Sequence, residues 1–228
     1  MIAAAAVCPH PPLLFRELTG EQDVAADLRA ACRAAITSAI AVEPDVVVVV
    51  GGDRRTASWD PDLAPEVRGF GTTDPRPVRP GLPLSLGVAS RLLVETGWHG
   101  PVRMHAVAGD AGRQEVEALA AEVASAGERV AALVMGEGSA RRGEKAPGYI
   151  DERAFGHDEA TGRALDSGDL TALAAMDPRV ADELMVTGRA PFGVLAAAVP
   201  GAPSHTKVLY QDDPWGVMYF VASWSFSA

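Results

Sequence analysis

Five consecutive valines, Val46 to Val50, constrain this chain more than any other stretch of it. β-Branched side chains are stiff at χ1 and favour extended backbone. A strand that does not alternate between apolar and polar residues must be covered on both faces, as in a parallel sheet packed between helices. The neighbouring segments fit such a sheet. Ile2 to Val7 reads as a buried strand, stopped by the turn Pro9-His10-Pro11-Pro12. Between Gln22 and Val42 the apolar positions Val24, Leu28, Ala31, Cys32, Ile36 and Ile40 recur at helical spacing. Glu43-Pro44 ends that helix, because proline disfavours helix in the residue before it.

Residues 54 to 83, rich in Pro, Gly, Asp and Arg, read as a long excursion, which in a compact domain is usually functional. Helix is expected over Leu84 to Thr96 and Arg113 to Ala126, and strand over Val102 to Val107 and Arg129 to Met135. Asp151 to Val199 reads as helical throughout, broken at Gly168, Pro178 and Pro191. Two strands close the chain, Lys207 to Tyr210 and Gly216 to Trp224, with a hairpin turn at Asp212-Asp213-Pro214. This order predicts an α/β fold in one domain over residues 1–228: a mostly parallel central sheet flanked by helices, with antiparallel C-terminal strands.

Composition excludes several function classes. Acidic residues outnumber basic ones 30 to 20, for a formal charge of −10, and no basic stripe is present, which argues against nucleic-acid binding. The longest apolar runs are too short to span a bilayer. Met1 to Cys8 lacks the basic start of a signal peptide and fits a first strand better. The expected location is therefore the cytoplasm, with no membrane partner. Cys8 and Cys32 read as buried reduced thiols. No phosphate-binding Gly-Lys-Ser/Thr loop or Gly-x-Ser-x-Gly elbow occurs, and Gly136-x-Gly138 lacks the third glycine of a dinucleotide fingerprint. The apolar segment Trp215 to Trp224 is either an interior strand or an edge that a homodimer would cover.

In open α/β sheets ligands bind just past the carboxyl ends of the strands. A small-molecule pocket is expected there, among Pro9-His10-Pro11, the run from Gly51 to Thr56, the run from Gly136 to Arg142, and Tyr210-Gln211-Asp212-Asp213. His10 suits a metal ligand or general base, or else a turn histidine bonded locally. Asp53 suits a cation, an ion pair with Arg54 or Arg55, or a cap on turn amides. Glu137 and Ser139 carry the same two readings. His99, His105, His157 and His205 show no metal-ligand spacing. Trp215, Tyr219, Phe220 and Trp224 read as core or interface.

On His10-Pro11, Gly52-Asp53-Arg54, Ser139-Ala140 and Gln211-Asp212-Asp213, the chain resembles the class III extradiol ring-cleavage dioxygenases. These include the catalytic subunit of protocatechuate 4,5-dioxygenase, together with the related Memo-like proteins. The resemblance covers nearly the whole chain and looks closest to an alanine-rich actinobacterial branch. It implies a non-haem Fe(II) held by two histidines and a glutamate, with positions open for catechol oxygens and O₂. His10 stands at the first histidine, but Arg54 replaces the second, and a guanidinium offers no lone pair to a metal. Ala140 follows Ser139 where the family carries its acid/base histidine, a loss typically worth ~10²–10⁴-fold in rate.

Two functions follow from the resemblance. In the first, an enzyme cleaves a small aromatic diol, with His10, Asp53 and Asp212 holding Fe(II) or another divalent metal. His10, Asp53, Arg54 and Ser139 would be its catalytic residues, with Arg54 or Arg55 gripping a substrate carboxylate. In the second, a catalytically inactive homologue keeps the pocket for a ligand or protein, with Arg54 paired to a carboxylate in the metal's place. A hydrolase built on Ser139 lacks a neighbouring base and ranks below both.

Overall fold

The computed structural model describes residues 1–67, 70, 81–199 and 201–227. Strand β1 (Ile2–Cys8) leads through two 3-10 turns to helix α1 (Ala26–Ile40), and then to β2 (Val46–Asp53). Inside the excursion lies a short strand, β3 (Ala57–Trp59), which sequence patterning does not anticipate. Next come α2 (Leu84–Glu95), β4 (Val102–Ala108), α3 (Arg113–Ala124) and β5 (Val130–Met135). Four helices follow: α4 (Arg153–Ser167), α5 (Leu170–Ala174), α6 (Pro178–Glu183) and α7 (Arg189–Ala198). The hairpin of β6 (His205–Asp212) and β7 (Tyr219–Ser225) completes the sheet.

The strand order is β3-β4-β2-β5-β1-β7-β6. The four central strands β4, β2, β5 and β1 run parallel, and the pairs β3–β4, β1–β7 and β7–β6 are antiparallel. The α/β architecture is thus a mostly parallel sheet with an antiparallel C-terminal hairpin. The valine run works as its composition demands. Val46, Val48 and Val50 join a core layer with Leu119 of α3 and Phe192 of α7, while Val47 and Val49 join the layer of Leu28 and Ile36 of α1 and Leu92 of α2. Among the described residues, no helix is long and apolar enough to cross a membrane.

Some local expectations need correction. Gly168 does end α4, in a left-handed conformation (φ 69°). The break expected at Pro178 is found, between α5 and α6, which Pro178 opens, whereas Pro191 sits in the first turn of α7 and breaks nothing. A proline there removes an N–H that has no helical partner in any case. Of the two readings of the C-terminal apolar segment, the interior strand holds: β7 is buried between β1 and β6, so it is not an edge awaiting a second copy.

Arg29 of α1, only 6% exposed, fixes the chain that leaves β1. Its Nε donates to the Leu14 carbonyl (3.3 Å) and one terminal nitrogen to that of Leu13 (2.9 Å). The other terminal nitrogen meets both Asp23 carboxylate oxygens at 2.6 and 2.5 Å. The Arg29 guanidinium holds the Asp23 carboxyl below its usual range. Arg29→Met keeps the stem and removes every donor, so Tm is expected to fall by several degrees in thermal denaturation. A lowered carboxyl pKa stabilises the fold above the ordinary carboxylate range and loses that contribution as pH falls through the folded value. The variant should therefore lose less of its stability on mild acidification than the wild type does.

Candidate functional site

Register brings the strand ends into one row. Cys8 pairs with Met135 across β1 and β5, and continuing that parallel register sets His10 level with Glu137. Gly51 also pairs with Met135, which sets Asp53 level with Glu137 on the other side. Val7 pairs with Ala222 across the antiparallel β1–β7 ladder, so Tyr219 falls level with His10, and Asp212 pairs with Tyr219. Across the carboxyl edge the order is Asp53, Glu137, His10, Tyr219, Asp212.

The centre of this row is closely knit. The His10 backbone N–H donates to Glu137 Oε1 at 3.0 Å. The Glu137 N–H donates to Thr187 Oγ1 (3.2 Å), and the Gly188 N–H donates to the Glu137 carbonyl (2.8 Å). The segment leading into α7 therefore braces the loop after β5. Tyr219 is buried, and burial, reinforced by the nearby Glu137 carboxylate, pushes its phenol pKa up. Its hydroxyl thus stays protonated and able to donate. Its ring also meets Trp215, with centroids 5.8 Å apart.

His10 is 7% exposed, and its Nδ1 is buried with no hydrogen-bond partner. In a neutral imidazole one nitrogen carries the proton, and a buried N–H without an acceptor is rarer than an unmatched acceptor. The proton therefore belongs on Nε2. A metal-ligating histidine normally donates its other N–H to a carboxylate or carbonyl. Binding a metal through Nε2 would move the proton onto Nδ1, where no acceptor stands.

The other residues expected to complete a metal site are not gathered around His10. Strands lie about 4.8 Å apart. Asp53 and Asp212, four strands apart in the row, are thus roughly 19 Å from each other at the backbone, on opposite sides of His10. Asp212 is exposed, and its Oδ1 accepts from the Asp213 N–H at 2.9 Å. Among the described residues no three His, Cys, Asp or Glu side chains form a group able to hold a metal ion. The donor set does not fit the Fe(II) that the resemblance implies. Arg54 is exposed and forms no ion pair among the described residues, so the expected Arg54–carboxylate pair is also missing. Arg55 lies over the Trp59 ring instead, 5.8 Å from its centroid.

Ser139 plays a different part from the one expected. It is fully buried; its Oγ donates to Asp158 Oδ2 at 2.5 Å and its N–H to Asp158 Oδ1 at 2.8 Å. A carboxylate thus stands beside the serine after all, but it is also held by Arg142 (3.4 Å), which pairs in turn with Asp213. The network bolts the loop after β5 to α4 and to the β6–β7 turn, with both Ser139 and Asp158 at 0% exposure. Asp158 has a signal in the sequence. Ala154, Asp158, Thr161 and Leu165 all lie on the buried face of α4, and a lone carboxylate on such a stripe requires partners.

No family model and no curated protein matches the chain. Among solved structures it is similar to the uncharacterized protein JW3007 from Escherichia coli K12, with a TM-score of 0.51 and 11% sequence identity over 98% of this chain and 99% of that one. That similarity is one of fold.

Proposed function

We propose that this chain is a ligand-binding member of the extradiol dioxygenase-like proteins that has kept the pocket at the carboxyl edge and does not cleave rings with iron. The observation that carries this reading is the strand order, which puts Asp53 and Asp212 on opposite sides of His10 instead of around it; with Nδ1 buried and unpartnered, the His10 proton is assigned to Nε2. The site then offers two donors, His10 Nε2–H and the Tyr219 hydroxyl, beside one acceptor, the second oxygen of Glu137. Such a set suits a small uncharged ring compound with adjacent hydroxyls, while the Glu137 carboxylate opposes an anion. A cytoplasmic setting fits the two free, buried cysteines.

The test is anaerobic calorimetry on the purified chain, with Fe(II) and with catechol as separate titrants. The expected result is no stoichiometric Fe(II) binding, together with catechol binding without added metal. Glu137→Gln should weaken catechol about tenfold, since it replaces a charge-assisted hydrogen bond with a neutral one. One equivalent of Fe(II) bound by the wild type but not by His10→Ala, with O₂ consumed on adding catechol, would restore the ring-cleaving reading.

A further inference from the structure

The sheet edge opposite the C-terminal hairpin is lightly held. Strand β3 has three residues and pairs with β4 alone. Its Trp59 packs on the core layer of α1 and α2, yet the buried indole Nε1 has no hydrogen-bond partner, an arrangement that costs free energy. A side-chain hydrogen bond crosses the pair: Ser58 and His105 stand directly opposite, with Ser58 Oγ 3.2 Å from His105 Nδ1. Ser58 is exposed, whereas His105 is buried. Two charged groups act on the imidazole. Glu122 of α3 brings Oε2 to 3.9 Å from Nδ1, and Arg103, two residues back on β4, opposes a positive charge there. The other neighbouring elements add none. Val50 of β2 pairs with His105, and α2 packs on the opposite face of β4, against Met104 and Ala106. Arg189 of α7 is engaged by the carbonyls of Gly109 and Ala111.

We propose that β3 is an acid-released edge strand: protonating His105 loosens its pairing with β4 and frees the segment that follows Asp53 at the carboxyl edge. An imidazolium is better hydrated once β3 lifts away, so the open edge binds the proton more tightly than the closed one. Burial lowers the His105 pKa in the closed form, outweighing the upward pull of Glu122. The closed edge is therefore fully favoured above the ordinary histidine range and loses ground as pH falls through that range toward the lowered value. Protonation also makes both ring nitrogens donors, so the Ser58 hydroxyl can only accept. Release reaches the strand ends because the intervening residues are tied to the same pair: Thr56 Oγ1 accepts from the Ala108 N–H at 3.0 Å, and Arg55 lies over the Trp59 ring. The device does not depend on what the carboxyl edge binds.

Amide hydrogen exchange on the full chain, read by NMR as protection factors, tests this. Protection in Ala57–Trp59 and Met104–Ala106 is expected to fall severalfold relative to β5 between about pH 7.5 and about pH 5.5, a window spanning the ordinary histidine value. His105→Gln keeps a hydrogen-bonding side chain that does not titrate, so the fall should vanish. Glu122→Gln, at an exposed position, removes the carboxylate that favours the protonated ring, so the fall should deepen. An equal fall in His105→Gln would overturn the proposal. So would wild-type protection that tracks β5 at both pH values, or a shallower fall in Glu122→Gln.

Discussion

Replacing Asp158 with alanine is expected to cost about 3 kcal/mol or more of folding stability, the scale of breaking a buried ion pair from one side. The carboxylate accepts from the Ser139 N–H, the Ser139 hydroxyl and Arg142, and it has no exposed surface. In the variant the two Ser139 donors lose their acceptor inside the protein, and Arg142 keeps Asp213 alone. Urea denaturation measures the loss directly. A loss below about 1 kcal/mol would place the variant among ordinary surface-like changes and show that the network does not hold the loop after β5.

The same residue predicts a pH dependence with a defined sign. Burial pushes the Asp158 carboxyl up, against the downward pull of Ser139, Arg142 and His157. With the folded value raised, the folded state binds the proton more tightly than the unfolded chain does. The resulting stabilisation is full below the ordinary carboxylate range and is lost as pH rises through the raised value. Asp151 and Glu183 act in the opposite direction. Hydrogen bonds from Arg153 hold Asp151 at about 2 and help to lower Glu183, so their contribution is present near neutrality and fades on acidification. Asp158→Asn keeps the shape and removes only the titration. The stability difference between wild type and Asp158→Asn is therefore expected to move in the wild type's favour as pH falls through the raised value. A difference independent of pH would mean that burial does not dominate at Asp158.

The sheet was legible because its signals are local. Five valines in a row cannot be half-solvated, and the turn at Pro9-His10-Pro11-Pro12 marked the end of β1, although β2 runs on through Gly51 and Gly52 to Asp53. The short β3 was not legible, because three residues held by pairing with β4 carry no pattern of their own. His10, Asp53 and Asp212 were all correctly placed at the carboxyl edge. Their grouping into one metal site failed for a reason no spacing reveals: strand order separates Asp53 from Asp212, with His10 between them. Glu137 was legible as a polar group at a strand end, and its bond from the His10 N–H settles its neighbour; Tyr219 gained its place from register. Reading Tyr219 as core was right about its burial. The Ser139–Asp158 contact joins residues on separate elements, and only the stripe position of Asp158 announces it.

Gly136→Ala is expected to lower stability by about 2 kcal/mol and to disturb the His10–Glu137 contact as well. A Cβ at Gly136 would lie 2.7 Å from the Gly188 Cα and 2.9 Å from the Phe192 ring. The first of these neighbours is backbone, and it is tied in place by the hydrogen bond from its own N–H to the Glu137 carbonyl. Relief must come from the loop after β5, whose other anchor is the bond from the Gly136 N–H to the Cys8 carbonyl at 2.9 Å. Moving that loop draws Glu137 away from the His10 N–H that it accepts. Gly143 supplies the control: it follows the same strand, and a Cβ there would meet nothing within 4 Å. Gly143→Ala should stay within about 0.5 kcal/mol of wild type. Thermal denaturation reads the stability, and the His10 amide resonance reads the contact without any ligand. If the two alanine variants match in both measurements, the close approach of Gly136 and Gly188 is not what positions Glu137. If only Gly136→Ala shifts the His10 amide, the candidate site depends on two glycine backbones meeting beneath it.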